Sequence, residues 1–280
     1  MTEAGRDSAN HCYRHPDRQS FILCQRCGRT ICPSCQTEAA VGFHCPECVQ
    51  EARASAPRSR PQLLRSARRI RTSDGPVITY TIIVVTAVVF LAQQVSGGYV
   101  DALLVYRPWL TTLLPWTMLT SLFVHGSFIH VLFNMFSLFI FGRILEPAIG
   151  RWRFLVLYLL SGFGGSVAVL LLNPGGGVLG ASGAIFGLMG ALFAIQRGLG
   201  GNGSQLVVLL VLNLAIGFLV PNISWQAHLG GLITGVLIGV IYSRTRRRDR
   251  QLTQKLLIGG LAAALLAITV AAVAVLLSSR

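Results

Sequence analysis

Residues 180–187 read Gly-Ala-Ser-Gly-Ala-Ile-Phe-Gly, a serine between small residues at the start of an apolar run that extends to residue 197. Polar side chains are costly inside a bilayer, so Ser182 is a candidate functional residue. Gly183 and Gly187 form a ridge of small residues, which lets a second helix approach closely. Taken alone, this pattern fits two roles for Ser182 equally well: a nucleophile, or a helix-packing serine bonded to its own backbone.

A matching ridge follows His228, with Gly231, Gly235 and Gly239 at the same four-residue spacing. Close packing of the two helices would bring Ser182 Oγ within hydrogen-bond reach of the His228 imidazole, which is the geometry of an activated nucleophile. A single histidine in a span is often only a structural hydrogen-bonding group, so this pair needs further support.

Another apolar run supplies that support. His130 and Asn134 lie four residues apart and therefore share a helix face. If Ser182 attacks a carbonyl, we expect the Ser182 N–H and the Asn134 amide, assisted by His130, to stabilise the oxyanion. His125 precedes this helix and is expected to be structural.

Few acidic residues are present to complete a catalytic triad. Between residues 77 and 248 only Asp101 and Glu146 occur. Asp101 is predicted to lie in an outer loop, and Glu146 a helix length from the site. The sequence therefore predicts a Ser182–His228 dyad without a carboxylate.

The composition requires a bilayer, since 52% of the 280 residues are hydrophobic, 12% are charged and the mean hydropathy is +0.61. A spanning helix needs about 20 apolar residues. Seven runs are predicted as spans, of which the fourth and fifth are short: 77–95, 127–145, 153–172, 182–197, 205–220, 226–243 and 256–278. The predicted fold is an all-α membrane protein, a six-helix bundle with one extra C-terminal helix.

The basic residues predict the orientation of these spans. The first 75 residues are polar and lack the apolar core of a signal peptide, so the N-terminus is expected in the cytoplasm. The predicted inner loops are rich in arginine, whereas the outer loops 96–126, 173–181 and 221–225 contain only Arg107. The protein is thus expected to be a multi-pass protein of the cell membrane, with its active site opening towards the outer face. The aromatic residues of the first outer loop are expected to lie partly in the membrane interface: Tyr99, Tyr106, Trp109 and Trp116.

The motifs in residues 77–243 are Leu119-Thr120-Ser121-Leu122-Phe123-Val124-His125, the series His125, His130 and Asn134, the stretch 180–187, and Ala227-His228-Leu229-Gly230-Gly231. In order and spacing they resemble those of the rhomboid intramembrane proteases. The resemblance implies that Ser182 is the nucleophile, His228 the general base, and Asn134, His130 and the Ser182 N–H the oxyanion hole. It also implies an intramembrane serine endopeptidase that hydrolyses peptide bonds in or beside transmembrane helices of other membrane proteins, with six catalytic spans and one more.

Two positions depart from the family pattern. Many members carry Trp-Arg before the Leu-Thr-Ser segment, whereas this chain has Trp116-Thr117, so its outer loop is expected to be anchored differently. Bacterial relatives often have tyrosine one turn after the serine, and here Phe186 keeps the ring without the hydroxyl.

The seven cysteines all lie in residues 12–48 and, with one histidine, form four close pairs. Eight ligands suit two structural zinc ions, each with four tetrahedral ligands, and a reducing cytoplasm disfavours disulfides. The spacing allows a cross-braced arrangement, first pair with third and second with fourth, and it resembles that of B-box-type zinc fingers. The predicted ligands are Cys12, His15, Cys24, Cys27, Cys32, Cys35, Cys45 and Cys48, with His11 and His44 as alternatives.

The expected domains are a cytoplasmic double-zinc module (1–52), a basic flexible linker (53–75), the protease core (76–245) and a seventh transmembrane helix (246–280). The module is expected to bind a cytoplasmic protein; nucleic acid is not favoured, because no recognition helix can be identified. The basic residues before the first span are a topology signal or, equally, a contact for anionic lipid headgroups: Arg65, Arg68, Arg69 and Arg71.

Three other functions compete with proteolysis. A non-catalytic rhomboid-like protein that binds membrane proteins would not need Ser182 and His228 together. A transporter would have polar residues at the bilayer midplane and an inverted repeat, and a zinc metalloprotease would have ligands in a span. Neither pattern is found in the sequence.

Overall fold

The computed structural model describes residues 10–39, 41–55, 75–201, 203–219 and 223–278, without the side chain of residue 53. The chain divides into two compact units, Met1–Arg69 and Ile70–Arg280. The basic residues expected to contact lipid headgroups lie outside the described residues: Arg65, Arg68, Arg69 and Arg71.

The N-terminal unit consists of short strands and one helix. β1 (His11–Cys12) pairs with β2 (His15–Gln19), and β3 (Thr37–Glu38) pairs with β4 (Phe43–His44), both antiparallel, before α1 (Pro46–Ser55). Its buried centre contains six cysteines and Ile31 instead of a layer of large apolar side chains. So small a core buries too little apolar surface to stabilise the unit by itself, which is the physical reason to expect bound metal.

The second unit is helical, as the sequence predicts. The long segment 96–126, predicted as an outer loop, contains two short helices, α3 (Tyr99–Leu104) and α4 (Thr117–Thr120). Among the described residues, seven further α-helices lie at the seven predicted spans: α2 (Val77–Val95), α5 (Phe128–Ile149), α6 (Arg151–Leu172), α7 (Ser182–Gly198), α8 (Ser204–Leu219), α9 (Trp225–Arg244) and α10 (Gln251–Ser278).

Five of these helices are long and apolar enough to cross a membrane, namely α2, α5, α6, α9 and α10. The other two have 17 and 16 residues, or about 25 Å each at about 1.5 Å per residue. Helix α7 is enclosed by other helices, so lipid thickness does not set its length. The protein is a multi-pass membrane protein.

Helix α7 forms the centre of the bundle and packs mainly against α9 and α6. Eleven of its 17 residues are buried. A Cβ atom at Gly231 or Gly235 of α9 would collide with the backbone of Gly183 or Gly187 of α7. The small-residue ridges predicted from the sequence therefore meet and allow two backbones to touch.

Glu146, near the end of α5, fixes the start of α2. Its carboxylate accepts hydrogen bonds from the Ile78 N–H at 2.9 Å, from the Thr79 N–H at 2.8 Å and from Thr79 Oγ1 at 2.7 Å. Pro76, at the N-cap position, supplies no side-chain cap. The buried carboxylate takes that role and also complements the positive end of the helix dipole.

The aromatic residues of segment 96–126 differ in their exposure. Trp109 and Trp116 are partly exposed and Tyr99 strongly so. Tyr106 is fully buried instead, with its hydroxyl 3.1 Å from Thr111 Oγ1 and its backbone paired with Val178. This tyrosine fixes segment 96–126 to the segment that precedes α7.

The last helix, α10, is attached chiefly through its first turn. Arg153 donates to Gln254 Oε1 at 2.7 Å and to Gln251 Oε1 at 2.6 Å, and Gln254 donates to Thr245 Oγ1 at 2.7 Å. Only 6% of the most apolar 18-residue stretch of this helix is buried inside the protein. The rest of the helix therefore exposes mainly apolar side chains on the surface of the bundle.

Candidate active site and metal clusters

Ser182 and His228 are in direct hydrogen-bonding contact. The His228 Nε2 to Ser182 Oγ distance is 2.9 Å. Ser182 is the first residue of α7, and His228 lies in the first turn of α9, whose N-cap Ser224 accepts from the Ala227 N–H at 3.3 Å. Both groups thus occur at the N-terminal ends of the two helices that the glycine ridges hold together.

The His228 ring is held between two neighbours. Phe186 stacks on it with centroids 4.2 Å apart and planes inclined by 12°. On the side of Nδ1 lies Gly217 of α8, where a Cβ would come to 3.2 Å from that nitrogen. His228 is only 6% exposed, and within the described part of the chain Nδ1 has no hydrogen-bond partner. The imidazole is therefore oriented by packing and by Ser182, not by a carboxylate.

Both acidic residues considered for a triad are engaged elsewhere. Glu146 caps α2, as described above, and Asp101 accepts a hydrogen bond from Gln93 at 2.7 Å. Within the described residues neither is hydrogen-bonded to His228, so no carboxylate joins the Ser182–His228 pair.

The expected oxyanion donors surround the start of α7. The Ser182 N–H is the first of the helix and has no carbonyl one turn earlier to bond to. Asn134 is buried and donates one amide hydrogen to the His130 carbonyl at 2.9 Å, which leaves its second hydrogen for another acceptor. His130 packs against Gly180, where a Cβ would lie 2.8 Å from the imidazole.

The loop before Ser182 depends on a glycine and a histidine. Gly180 has φ of +113°, a conformation that favours glycine, and its N–H donates to the Ser121 carbonyl at 2.9 Å. His125 Nε2 accepts from the Ala181 N–H at 3.4 Å. His125 thus contacts the residue before Ser182, a contact that the sequence did not predict. Gln93, which bonds to the His125 backbone, was not among the predicted site residues, although a polar side chain in a largely apolar span was a signal for it.

The cysteine pairs of the N-terminal unit form two clusters in the interleaved order expected for cross-bracing. One contains Cys12, His15, Cys32 and Cys35, and the other contains Cys24, Cys27, Cys45 and Cys48. In each cluster the potential ligand atoms lie within 4.8 Å of one another. Neither His11 nor His44 belongs to them.

The geometry of both clusters fits a tetrahedral zinc ion. With Zn–S of about 2.3 Å and Zn–N of about 2.0 Å, tetrahedral ligands are separated by about 3.8 Å for two sulfurs and about 3.5 Å for sulfur and nitrogen. The Cys27 and Cys45 sulfurs are 3.7 Å apart, and His15 Nδ1 is 3.8, 3.5 and 3.4 Å from the three sulfurs of its cluster.

Arg29 adds a positive charge beside the four-cysteine cluster. Its Nε donates to Cys27 Sγ at 3.3 Å, and its guanidinium lies over the Tyr13 ring at 4.4 Å. The hydrogen bond from Arg29 lowers the pKa of the Cys27 thiol to about 6. Because metal ligands must be deprotonated, this contact favours the metal-binding form of Cys27.

Comparison with known proteins matches the helical unit. A profile of the Rhomboid domain covers residues 114–245. Rhomboid protease GluP of Bacillus subtilis (strain 168) is 29% identical over 170 residues, 57% of this chain and 34% of that protein. RHOMBOID-like protein 6, mitochondrial, of Arabidopsis thaliana is 41% identical over 133 residues, 45% of this chain and 43% of that protein. Putative rhomboid protease YdcA of Bacillus subtilis (strain 168) is 33% identical over 139 residues, 48% of this chain and 70% of that protein.

The chain spans less than half the length of the first two of these relatives but most of the third. The profile match extends from before α4 to the end of α9 and includes Asn134, Ser182 and His228. The likeness thus covers the helices that form the candidate active site, and the chain belongs to the rhomboid family.

Proposed function

We propose that this protein is an intramembrane serine endopeptidase that hydrolyses peptide bonds in or beside the transmembrane helices of other membrane proteins. The observation that carries the proposal is the 2.9 Å contact between Ser182 Oγ and His228 Nε2 within an apolar helical bundle. The relatives named rhomboid protease support the same reaction class.

The proposed reaction begins when Ser182 Oγ attacks the scissile carbonyl carbon and His228 Nε2 accepts the hydroxyl proton. The carbonyl oxygen becomes an oxyanion, and the Ser182 N–H and the second Asn134 amide hydrogen donate to it, with His130 assisting. His228 then gives its proton to the leaving amine as the carbon–nitrogen bond breaks. Water, deprotonated by His228, hydrolyses the acyl-enzyme and regenerates the Ser182 hydroxyl.

Phe186 takes part in this scheme through the orientation of His228. A stacked ring restricts rotation of the imidazole and keeps Nε2 directed at Ser182. The exchange of tyrosine for phenylalanine removes a hydroxyl from this position, so no proton step is assigned to it.

The N-terminal unit is proposed to be a cytoplasmic module that binds two zinc ions, one in each cluster. The metal would supply the folding free energy that the small core cannot. The proposed topology places the N-terminus in the cytoplasm and the Ser182–His228 pair towards the outer face, in accord with the arginine distribution. A cytoplasmic protein is the proposed partner of the module.

A panel of single-span membrane proteins should be produced in cells with the wild-type protein or with Ser182→Ala. We expect cleavage products of at least one panel member with the wild type only. Ser161→Ala is the matched control, because Ser161 is also buried within a span but has no described hydrogen-bond partner. Binding of panel members without cleavage, and equal binding by Ser182→Ala, would favour the non-catalytic binder instead.

A further inference from the structure

Gln93 is a buried amide in the last turn of α2, a largely apolar helix. Its Nε2 donates to Asp101 Oδ1 at 2.7 Å and to the His125 carbonyl at 3.2 Å, while its Oε1 accepts from the His125 N–H at 3.1 Å. One side chain thus satisfies both backbone groups of His125 and one carboxylate oxygen of the outer loop. An amide is suited to these three contacts, because it both donates and accepts.

The backbone of His125 has few other ways to be satisfied. It lies between the 3-10 helix Ser121–Phe123 and α5, outside any helix or strand. Buried backbone groups without a partner are costly. The Gln93 amide therefore makes the two backbone hydrogen bonds that a neighbouring strand would otherwise make. His125 is therefore fixed to the outer end of α2 rather than to its own chain neighbours.

The His125 side chain extends this attachment to the nucleophile. Its Nε2 accepts from the Ala181 N–H, the residue before Ser182, and its ring packs edge-on against His130 with centroids 4.9 Å apart. Because Nε2 is the acceptor, the network assigns the proton to Nδ1. A continuous series of contacts then joins Gln93, His125 and Ala181.

We propose that Gln93 is a positioning residue, which holds the loop Gly180–Ser182, and with it the Ser182 N–H, in the orientation that oxyanion binding requires. The role rests on the proposed proteolytic function. The contacts from Asp101 through Gln93 and His125 to Ala181 form a clamp, of which Asp101 is the outer end. Arg107 donates to the Asp101 backbone carbonyl at 3.4 Å. In this chain, which lacks the family's Trp-Arg pair, the Gln93–Asp101 contact anchors the outer loop to the active site.

Gln93→Glu tests the clamp in the full-length protein. The change sets a carboxylate against Asp101 and removes the donor to the His125 carbonyl. In the double variant Gln93→Glu/Asp101→Asn, the new Asn amide can donate to the new Glu, which restores the bridge with its polarity reversed. Gln94→Glu is the matched control, because Gln94 is exposed and its amide donates only to the Phe90 carbonyl at 3.3 Å.

Two readouts are measured on each variant in detergent. The first is amide hydrogen exchange of peptides covering 178–186, compared with peptides from α6. The second is the rate at which a fluorophosphonate probe labels Ser182. We expect Gln93→Glu to raise exchange in 178–186 without a change in α6, and to slow labelling about tenfold, as for the loss of one hydrogen bond. The double variant should recover part of both effects, because it restores the bridge to residue 101 but not the donor to the His125 carbonyl. Gln94→Glu should resemble the wild type.

The outcomes separate the clamp from the proteolytic function. Unchanged exchange in 178–186 with normal labelling in Gln93→Glu would overturn the clamp and leave the protease proposal intact. A double variant as impaired as Gln93→Glu alone would overturn the role of Asp101 in the clamp. Exchange that rises in α6 as much as in 178–186 would show a general loss of stability and refute positioning. If the wild type is not labelled but exchange follows the expected pattern, the clamp stands and the protease proposal fails.

Discussion

Gly235 of α9 lies directly against the backbone of Gly187 in α7, with no space for a side-chain carbon between them. Two helices that touch at this point bring Ser182 and His228, each at the start of its helix, to 2.9 Å. The distance between the proposed nucleophile and base therefore depends on glycines one to two turns further along each helix.

Gly235→Ala is expected to destabilise the bundle and separate the dyad, since the added methyl group must push apart two backbones. Overpacking of this kind costs about 1–3 kcal/mol. Thermal unfolding in detergent and fluorophosphonate labelling measure the two effects. Gly259→Ala in α10 is the control, because a Cβ there meets nothing within 4 Å. Equal stability of the two variants would contradict the backbone contact.

Phe186→Ala is expected to reduce kcat about tenfold, because a stacked aromatic pair contributes about 0.5–1.5 kcal/mol and the imidazole would lose its orientation. Phe186→Tyr should retain activity, as the ring is kept. The steady-state rate of cleavage of a transmembrane substrate distinguishes the two variants. An active Phe186→Ala protein would show that Ser182 and the fold orient His228 sufficiently without the ring.

Asn134→Ala is expected to reduce kcat on the order of 10²-fold with little change in KM, by the loss of one oxyanion donor. Asn213→Ala provides the comparison. The Asn213 amide donates to the Leu209 carbonyl at 2.8 Å, just as Asn134 donates to His130 at 2.9 Å, so both variants lose the same bond within a helix. Similar kinetics for the two variants would remove Asn134 from the mechanism.

Metal analysis of the purified protein is expected to give two zinc ions per chain. Cys35→Ser should abolish one site and Cys48→Ser the other, because each belongs to a different cluster. A chelator should unfold residues 10–55, detected by proteolysis, whereas a chain beginning near residue 72 should still be labelled at Ser182. One zinc or none in the wild type would refute the two-site proposal.

Local patterns in the sequence were sufficient to predict the positions of the helices and which polar residues lie close together. All seven apolar runs are helices at the expected positions, because apolar length is what a bilayer selects. Glycines at four-residue spacing indicated which helices touch, as only small residues permit such an approach. The closely spaced cysteines likewise indicated pairs of metal ligands, and the structure shows which pairs share a cluster.

The sequence by itself determined the helical membrane fold, the rhomboid motifs and the chemical identity of the candidate site, since each depends on residue type and spacing along the chain. Only the tertiary structure decided that Tyr106 is buried rather than interfacial, that Glu146 caps α2, and that Gln93 and Asp101 reach His125. These contacts join residues up to 68 positions apart. A buried polar group must find a partner, but which one it finds is set by how the helices pack and not by any local pattern.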